Sequence, residues 1–418
     1  MKMRLFFDGL VPAILPVLGF GNLDELSHDS FPLSRRFFMQ ITHLRPVFLP
    51  VLLTLFLMGS VSMADNDSLD VWIGTSASPQ SEGIYHATFD PAQGKLSPSK
   101  LVAKMIGPGF LAQHPTLDVL YAVGRPVDGE PSVVAFAIEN NQLRQINAVA
   151  VGDGDACHVS VDPTGKTLLT AQYGGGSVAA FGLNSDGSLA ERTELIDHEG
   201  GSGVVAGRQN SSHAHYAGIS PNNQFALVPD LGLDKVMIYR LDPETAKLTQ
   251  HGFGKVPAGG GPRHMKFHSN GKWIYVLNEL SLSVTLFDWD ADAGKMTPRQ
   301  TIPAVPKQAL AKEKFKSASE IIVHPNGKFL YSANRGHDTI TVYRIDGSNG
   351  ELSVIEIENI RGATPRNFNI TPDGKWLLAA GQDSNTVATF AINDSTGELT
   401  YNQNVINSPS PICLLFGR

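Results

Sequence analysis

Short apolar segments alternate along the chain with clusters of glycine, proline, asparagine and aspartate. Apolar runs such as Trp273–Leu277 and Phe329–Ala333 are each five residues long and are followed within a few residues by turn-forming sequences. Short strands separated by tight turns are typical of all-β proteins. The pattern therefore predicts an all-β fold built from many short strands rather than long helices.

This pattern recurs in six copies that can be aligned on six anchor positions, at which a turn begins. The spacings between successive anchors are 48, 58, 48, 56 and 47 residues, and the anchors are Pro115, Pro163, Pro221, Ser269, Pro325 and Pro372. Each copy contains four predicted strands. Repeats of this length that are rich in β-forming residues indicate propeller blades or solenoid turns.

The two ends of the repeat region supply a seventh copy. Val71–Thr75 and Gly83–Phe89 are predicted to be second and third strands without a first strand, whereas Pro411–Phe416 is predicted to be a first strand with nothing after it. Pairing the ends completes one blade and leaves no open sheet edge. We therefore predict a seven-bladed β-propeller with four-stranded antiparallel blades over residues 65–418. A solenoid is the alternative, but it would not need complementary half-repeats.

Residues 1–64 precede the repeats and resemble an export signal. Arg45 comes before the apolar run Pro46–Met58, and small residues follow up to Ala64. A basic flank, a short apolar stretch and a small-x-small motif are typical of a cleaved secretory signal. We predict cleavage after Ala64 and a periplasmic or secreted protein without a membrane span, with Met1 or Met39 as the start. An uncleaved anchor is an alternative, as is a cytoplasmic protein if the segment is not used.

Composition sets further limits. The chain of 418 residues is 42% hydrophobic and 17% charged, with a net charge of -7, so there is no general basic excess for nucleic-acid binding. It has two cysteines, Cys157 and Cys413. The repeat places them on inner strands of non-neighbouring blades, too far apart for a disulfide, so we predict that both are unpaired.

The repeat register also predicts where the chemistry lies, because antiparallel neighbours place the start of the first strand and the end of the second at the same end of a blade. Both sets should line one mouth of the central channel, with Asp230 and Glu320 one step off this register. The position six before each anchor holds Gly109, Cys157, His215, Arg263, Ser319 and Arg366, and the position ten after it holds Arg125, Tyr173, Leu231, Glu279, Arg335 and Gln382. The two long spacings reflect insertions at Glu199–Ser212 and Ile302–Ser317, which should overhang this mouth.

Arginines converging on one cavity suit an anionic substrate, because the guanidinium group can hold a carboxylate or phosphate with two hydrogen bonds. A histidine or glutamate beside them could act as general base. His213 could orient the substrate. Inter-blade salt bridges without any chemistry are the alternative interpretation. His213 and His215 have no accompanying carboxylate or cysteine cluster, so we predict no metal and no cofactor.

Several segments resemble the seven-bladed lactonase family, which includes propeller-type 6-phosphogluconolactonases and carboxymuconate cyclases. The matching segments are His213-Ala214-His215, Val228–Asp234, Gly261–His264, Leu277–Leu280, Ser317–Ile321, Ser332–Asp338 and Pro365–Phe368. The resemblance implies that the catalytic residues are His215, Arg263, Glu279 and Arg335. This chain differs from the family pattern at Ser319, where the family commonly has alanine. Candidate substrate-binding residues around these four are His213, Tyr173, Asp230, Glu320, Arg366 and Gln382.

Together these features predict a hydrolase that opens a sugar-derived or other anionic lactone with water. Arg263 and Arg335 would hold the anionic group and polarise the carbonyl, and Glu279 or His215 would deprotonate the water. Two alternatives remain open. One is a cycloisomerase that closes or opens a carboxymuconate ring, and the other is an exported, non-catalytic propeller that binds a sugar acid. The sequence gives no oligomeric state.

Overall fold

The computed structural model describes residues 68–313 and 315–418, and the regular secondary structure of this part of the chain is almost entirely β-strand. The predicted signal, its cleavage site and the choice of start codon lie outside the described residues. The strands are β1 (Leu69–Thr75), β2 (Gly83–Asp90), β3 (Lys95–Leu96), β4 (Lys100–Lys104); β5 (Ile106–Gln113), β6 (Val119–Arg125), β7 (Ser132–Glu139), β8 (Gln142–Ala150); β9 (Ala156–Val161), β10 (Thr167–Gln172), β11 (Ser177–Leu183), β12 (Leu189–Asp197); β13 (Gly218–Ile219), β14 (Phe225–Asp230), β15 (Lys235–Asp242), β16 (Lys247–Lys255); β17 (Pro262–Phe267), β18 (Trp273–Asn278), β19 (Ser283–Asp290), β20 (Lys295–Pro303); β21 (Ser317–Val323), β22 (Phe329–Arg335), β23 (Thr339–Ile345), β24 (Leu352–Asn359); β25 (Pro365–Ile370), β26 (Trp376–Gly381), β27 (Thr386–Ile392), β28 (Leu399–Asn407); and β29 (Pro411–Phe416). A short helix, α1 (Lys307–Leu310), lies between β20 and β21.

The strands form seven antiparallel blades, and the prediction of a seven-bladed propeller is confirmed. Six blades consist of four strands that are consecutive in the chain. The remaining blade is composite, because β29 pairs with β1, which in turn pairs with β2. The cross-strand pairs Trp72↔Leu415 and Gly74↔Cys413 therefore join the two ends of the described chain.

The hydrophobic core is divided among the contacts between neighbouring blades. Seven clusters of buried apolar residues occur, and each contains residues of two adjacent blades. The cluster at the composite blade joins Val71 and Leu414 to Leu378 and Val387 of the blade before it. Every blade packs both of its faces against neighbouring blades. Successive residues of the middle strands are therefore almost all apolar, instead of alternating between apolar and polar.

Histidines at three anchors link one blade to the next. His114, His268 and His324 each place Nε2 within hydrogen-bonding distance of a turn glycine carbonyl in the following blade, at 3.1, 2.8 and 2.7 Å. The glycines are Gly165, Gly327 and Gly374, which have positive φ angles. Each histidine also accepts a backbone N–H of its own turn through Nδ1. These side chains hold the blades together at the end of the channel opposite the predicted mouth.

The innermost strands of six blades carry a β-bulge, and in each case it falls at the mouth-lining position. In the blade that begins with β17, Pro262 pairs with Asn278 and His264 with Leu277, so Arg263 has no cross-strand partner. Equivalent shifts occur in the other five blades. A bulge re-aims successive side chains, so two consecutive residues can face the channel.

Two layers of channel residues result. We call the upper layer the mouth ring, and it consists of Gly109, Cys157, His215, Arg263, Ser319, Arg366 and Ile412. We call the next layer the floor ring, and it consists of Phe110, His158, Tyr216, His264, Glu320, Asn367 and Cys413. Successive members of the floor ring touch from Phe110 to Asn367, through four aromatic or imidazole rings and then two hydrogen bonds.

One predicted inner strand is much shorter than expected. The sequence pattern predicts a strand from His215 to Ser220, but the structure has only Gly218–Ile219 and a single bridge between Ala214 and Asp230. The carboxylate of Asp230 instead accepts backbone N–H groups of His213, Gly232 and Leu233. A side chain therefore replaces the ladder hydrogen bonds where the inserted loop enters this blade.

Both cysteines are free, as predicted: Cys157 lies on β9 and Cys413 on β29. In the part of the chain that the structure describes, no helix is long and apolar enough to cross a membrane.

Candidate active site

Two adjoining cavities lie at the predicted mouth of the channel, with volumes of about 290 and 450 Å³. They share the walls formed by Asp155, Ala156, Cys157, His215 and Arg366. We call the first the inner cavity, and it is also lined by Phe110, Arg125, Arg263, His264, Gln382 and Ile412, among others. We call the second the outer cavity, and it is also lined by Tyr173, Gly174, Arg208, Glu279 and Arg335.

Glu279 is the centre of an arginine cluster at this mouth. It follows β18 and is 4% exposed. Its Oε2 lies 3.0 Å from Nε of Arg263 and 3.2 Å from Nη2 of Arg335, and its Oε1 accepts a hydrogen bond of 2.6 Å from Nη2 of Arg208. The contact with Arg263 is close but poorly aligned, since that Nε makes no hydrogen bond. Both carboxylate oxygens are thus already occupied by cations.

These charges set the ionisation of the cluster. Burial alone would raise the pKa of Glu279, but the charges of Arg335 and Arg263 and the hydrogen bond from Arg208 outweigh it and lower the pKa to about 2. Burial lowers the pKa of Arg263 to about 10 and that of Arg335 to about 9, against the opposing effect of Glu279. At neutral pH the glutamate is therefore an anion and both arginines are cations.

Arg335 is held in place by its own blade. Its Nη2 donates to the hydroxyl of Ser317 at 2.5 Å and to the carbonyl of Ala318 at 2.9 Å, and its guanidinium lies over the ring of Phe315 at 5.7 Å. Arg263 donates through Nη1 to the carbonyl of Ser319 in the next blade. Backbone carbonyls therefore fix both guanidinium groups beside Glu279.

Arg208 was not identified as a site residue from the sequence. It lies on the insertion at residues 199–212, which was predicted to overhang the mouth. The neighbouring Gln209 is fully buried and donates through Nε2 to the carbonyl of Leu231 and to Asp234, and its Oε1 accepts the N–H of Val205. These hydrogen bonds of Gln209 hold Arg208 at the outer cavity, where Nη2 of Arg208 also donates to the hydroxyl of Tyr173 at 3.3 Å.

His215 lines both cavities and is 5% exposed. Its Nδ1 lies 3.6 Å from Sγ of Cys157, and no described hydrogen bond engages its Nε2. Burial and the positive charges of Arg263 and Arg366 lower the pKa of His215 well below its usual value. Burial raises the pKa of Cys157 to about 11. At neutral pH this pair is therefore a neutral imidazole beside a protonated thiol.

Arg366 lies between the two cavities and lines both. Unlike Arg263 and Arg335, it forms no ion pair and no hydrogen bond with any residue of the described chain. It is close enough to lower the pKa of Arg263, Arg335 and His215 by repulsion. Arg366 is therefore a cation without a counter-ion inside a cluster of cations.

The remaining predicted substrate-binding residues divide into two groups. Gln382 lines the inner cavity and Tyr173 lines the outer cavity, with the His213 ring stacked on Tyr173 at 4.5 Å between centroids. Asp230 and Glu320 do not line either cavity. Asp230 is fully buried beneath the inserted loop and accepts a hydrogen bond of 2.7 Å from His198, and Glu320 lies in the floor ring.

The combined walls contain five arginines and two carboxylates, Asp155 and Glu279. Arg125 and Asp155 neutralise each other through two hydrogen bonds of 2.9 and 3.0 Å. The arrangement is suited to bind an anion and to stabilise negative charge that develops on an oxygen. Among the described residues, no group of three or more histidine, cysteine, aspartate or glutamate side chains is arranged to hold a metal ion.

Comparison with known proteins places this geometry in context. Residues 70–416 match the family model described as lactonase, 7-bladed beta-propeller. The chain is 35% identical over 299 residues to the 6-phosphogluconolactonase of Bacillus subtilis, covering 71% of this chain and 83% of that relative. A putative 6-phosphogluconolactonase from Bacteroides fragilis has a similar structure, with 30% identity, a TM-score of 0.78 and coverage of 85% and 99% of the two chains. The periplasmic gluconolactonase of Pseudomonas aeruginosa is also similar, with 30% identity, a TM-score of 0.78 and coverage of 84% and 99%.

Proposed function

The chain belongs to the seven-bladed β-propeller lactonase family, and from this premise we propose that it hydrolyses the lactone of a sugar acid or of another anionic compound. Its relatives include proteins named for the hydrolysis of 6-phosphogluconolactone and of gluconolactone. The substrate proposed for this chain is therefore a small cyclic ester that carries negative charge or acquires it during the reaction.

The observation that carries this proposal is the uncompensated charge of Arg366. Arg366 is half-buried beside other arginines, and their repulsion disfavours its charge unless a ligand supplies an anion. Arg208 also lines the outer cavity and is partly exposed, so the two guanidinium groups could bind one carboxylate or phosphate together. Charge-assisted hydrogen bonds of this kind are the strong ones in protein sites.

Arg263 and Arg335 serve a different purpose in the proposed mechanism. They are fixed by backbone carbonyls and by Glu279, so they need little reorganisation when charge develops on the lactone carbonyl oxygen during attack by water. Glu279 holds them in position. It is a weak base, because its pKa of about 2 leaves it with little affinity for a proton.

His215 is the remaining base candidate of the two predicted from sequence. It is neutral at pH 7 and borders both cavities, so a water molecule beside it could lose a proton while its oxygen adds to the carbonyl carbon. His215 holds this proton while the tetrahedral intermediate collapses with cleavage of the ring C–O bond, and the leaving oxygen then takes the proton and becomes a hydroxyl group. No covalent enzyme intermediate is needed, and the thiol of Cys157 remains protonated throughout.

The proposal is tested by assaying the purified chain against a panel of lactones with and without a carboxylate or phosphate group. We expect turnover of at least one anionic lactone, and a loss of about 100-fold or more in kcat/KM for Arg263→Ala and Glu279→Gln. Full activity of both variants on every lactone tried would overturn the site assignment. Tight binding of sugar acids without turnover would favour the non-catalytic alternative.

We also propose that the protein is exported. The support is the signal-like segment at Arg45–Ala64 and the similarity to a periplasmic gluconolactonase. N-terminal sequencing of the protein recovered from its native cells tests this. A mature amino terminus immediately after Ala64 is expected, and an intact chain in the cytoplasmic fraction would contradict it.

A further inference from the structure

The floor ring contains a histidine–carboxylate pair that the proposed mechanism does not yet use. His264 is 2% exposed, and its Nδ1 lies 3.0 Å from Oε1 of Glu320. Glu320 is itself fixed, because Asn367 donates to its Oε2 at 2.7 Å and the N–H of Ile321 donates to its Oε1 at 2.9 Å. A histidine oriented by a buried carboxylate is the arrangement that many hydrolases use to prepare a base.

The second ring nitrogen of His264 has no partner. Its Nε2 is buried, makes no hydrogen bond to any described residue, and belongs to a side chain that lines the inner cavity. Burial alone would raise the pKa of Glu320, but the contacts with His264, Lys266 and the N–H of Ile321 outweigh it and lower the pKa to about 2. The carboxylate is therefore ionised and accepts a hydrogen bond from Nδ1–H of His264. The tautomer fixed in this way leaves a bare lone pair on Nε2.

The charges around the two channel histidines differ in sign. The charged side chains that affect His215 are Arg263 and Arg366, both cations. His264 instead has a carboxylate in direct contact. The titratable groups that surround His264 are Arg263 and Lys266 on its own strand, and Glu320, His158, His215 and Tyr216 on other blades. Burial, Arg263 and Lys266 lower the pKa of His264 to about 4, and Glu320 opposes this shift. No carboxylate opposes the lowering of the His215 pKa, so an imidazolium ion formed in the channel is better balanced on His264 than on His215.

From this arrangement, and resting on the proposed lactone hydrolysis, we propose that His264 is a second base of the site and that Glu320 is its positioning residue. The two imidazole rings are 5.4 Å apart between centroids and nearly perpendicular, at 67°. Both side chains line the inner cavity, and the attacking water molecule would lie there and donate one hydrogen bond to each Nε2. His264 then removes the proton of this water molecule in place of His215, and His215 orients the water.

The proton balance of this step is simple. As the water oxygen bonds to the carbonyl carbon, one O–H bond breaks and the proton moves to Nε2 of His264. When the ring C–O bond breaks, the leaving oxygen takes this proton and becomes a hydroxyl group. The histidine returns to its neutral form, and Glu320 remains ionised throughout.

The test compares His264→Asn with His158→Asn in steady-state assays on a lactone that the wild type hydrolyses. An asparagine at position 264 can still donate to Glu320 but lacks the second ring nitrogen, which is unpartnered among the described residues. His158 is a matched control, since it is also buried in the floor ring, and its Nδ1 accepts the N–H of Ala217. We expect His264→Asn to lower kcat about 100-fold or more with little change in KM, and His158→Asn to keep kcat within about threefold.

The variant Glu320→Gln provides a second, independent test if His264→Asn does not fold. A neutral amide cannot balance an imidazolium ion, so we expect kcat to fall about tenfold or more and the acidic limb of the kcat–pH profile to move to lower pH. A purely structural role would change stability without moving this limb. In the double variant His215→Asn/His264→Asn, the losses should be far from additive, because both residues act on one water molecule.

Wild-type kcat in His264→Asn, or wild-type kcat and an unshifted pH profile in Glu320→Gln, would overturn this inference. Either result would leave the proposed function intact, provided that Arg263→Ala remains inactive. The proposed function fails instead if the wild type hydrolyses no lactone.

Discussion

At the scale of single residues, the site is organised by an imbalance of charge around Glu279. One carboxylate is contacted by three arginines, and a fourth arginine, Arg366, has no carboxylate at all. The two kinds of arginine should respond differently to substitution. In the proposed mechanism, those that contact Glu279 contribute to stability as well as to the chemistry, whereas Arg366 contributes only repulsion until an anion binds.

The variant Arg366→Gln tests whether Arg366 binds the substrate without contributing to stability. We expect KM for an anionic lactone to rise about tenfold or more, because charge-assisted hydrogen bonds are worth roughly 1.5–3 kcal/mol. The melting temperature should stay unchanged or rise, because a repulsive charge is removed. Arg263→Gln is the matched comparison from the same ring, and it should lower the melting temperature. A clear loss of thermal stability in Arg366→Gln, with unchanged KM, would contradict this assignment.

The pKa of Glu279 makes the cluster sensitive to acid. Its folded pKa of about 2 lies below the ordinary value of 4.5, so its stabilising effect is fully present above pH 4.5 and is lost as the pH falls towards 2. We expect Glu279→Gln to be less stable than wild type at pH 7, because three arginines lose their shared anion. Denaturant unfolding at several pH values should show this difference shrinking between pH 4.5 and 2. A difference that stays constant with pH would argue against the ionised cluster.

At the scale of elements, the strand periodicity was enough to predict the blades, because the same alternation recurs at every anchor. It also predicted that Arg263, Glu279 and Arg335 converge, since each occupies an equivalent position in its copy. Arg208 was missed because an inserted loop does not follow the repeat register. Glu320 was predicted one step off the mouth register as a substrate-binding residue, but it lines neither cavity. A β-bulge beside it turns its side chain into the floor ring, and the sequence pattern does not show bulges.

We expect the insertion at residues 199–212 to affect catalysis through the buried side chain of Gln209, which holds Arg208 in place. Gln209→Ala should release Arg208 from Glu279 and lower kcat/KM about tenfold, although Gln209 lines neither cavity. The double variant Gln209→Ala/Arg208→Ala should be no worse than Arg208→Ala alone. Gln300→Ala is a suitable control, because Gln300 also bonds both backbone groups of a distant residue, Leu352, but lies outside the site. Equal kinetic effects of the two glutamine variants would contradict a specific role for the loop.

At the scale of the whole molecule, the channel depends on closure of the ring. The composite blade joins the β29 and β1 strands, and the apolar clusters on both sides of it include residues from these strands. Without β29, the edge of β1 would be exposed and Leu414 would be lost from its cluster. Ile412 would also be lost from the wall of the inner cavity.

A chain that stops after Asn407 should therefore lose both activity and its cooperative thermal transition. A chain that lacks only Gly417 and Arg418 is the control, and it should melt close to the wild type because β29 is retained. Circular dichroism on heating distinguishes the two. A cooperative transition at the wild-type temperature in the shorter chain would contradict closure as a requirement for stability.

The most direct measurement is turnover of an anionic lactone in water enriched in oxygen-18, followed by mass spectrometry of the acid product. The account predicts one labelled oxygen in the new carboxylate for each ring opened by the enzyme, and loss of this enzyme-dependent product in Arg263→Ala. Enzyme-dependent product without label would mean that the arginine cavity performs an isomerisation rather than a hydrolysis. Undiminished labelling in Arg263→Ala would mean that the reaction takes place elsewhere.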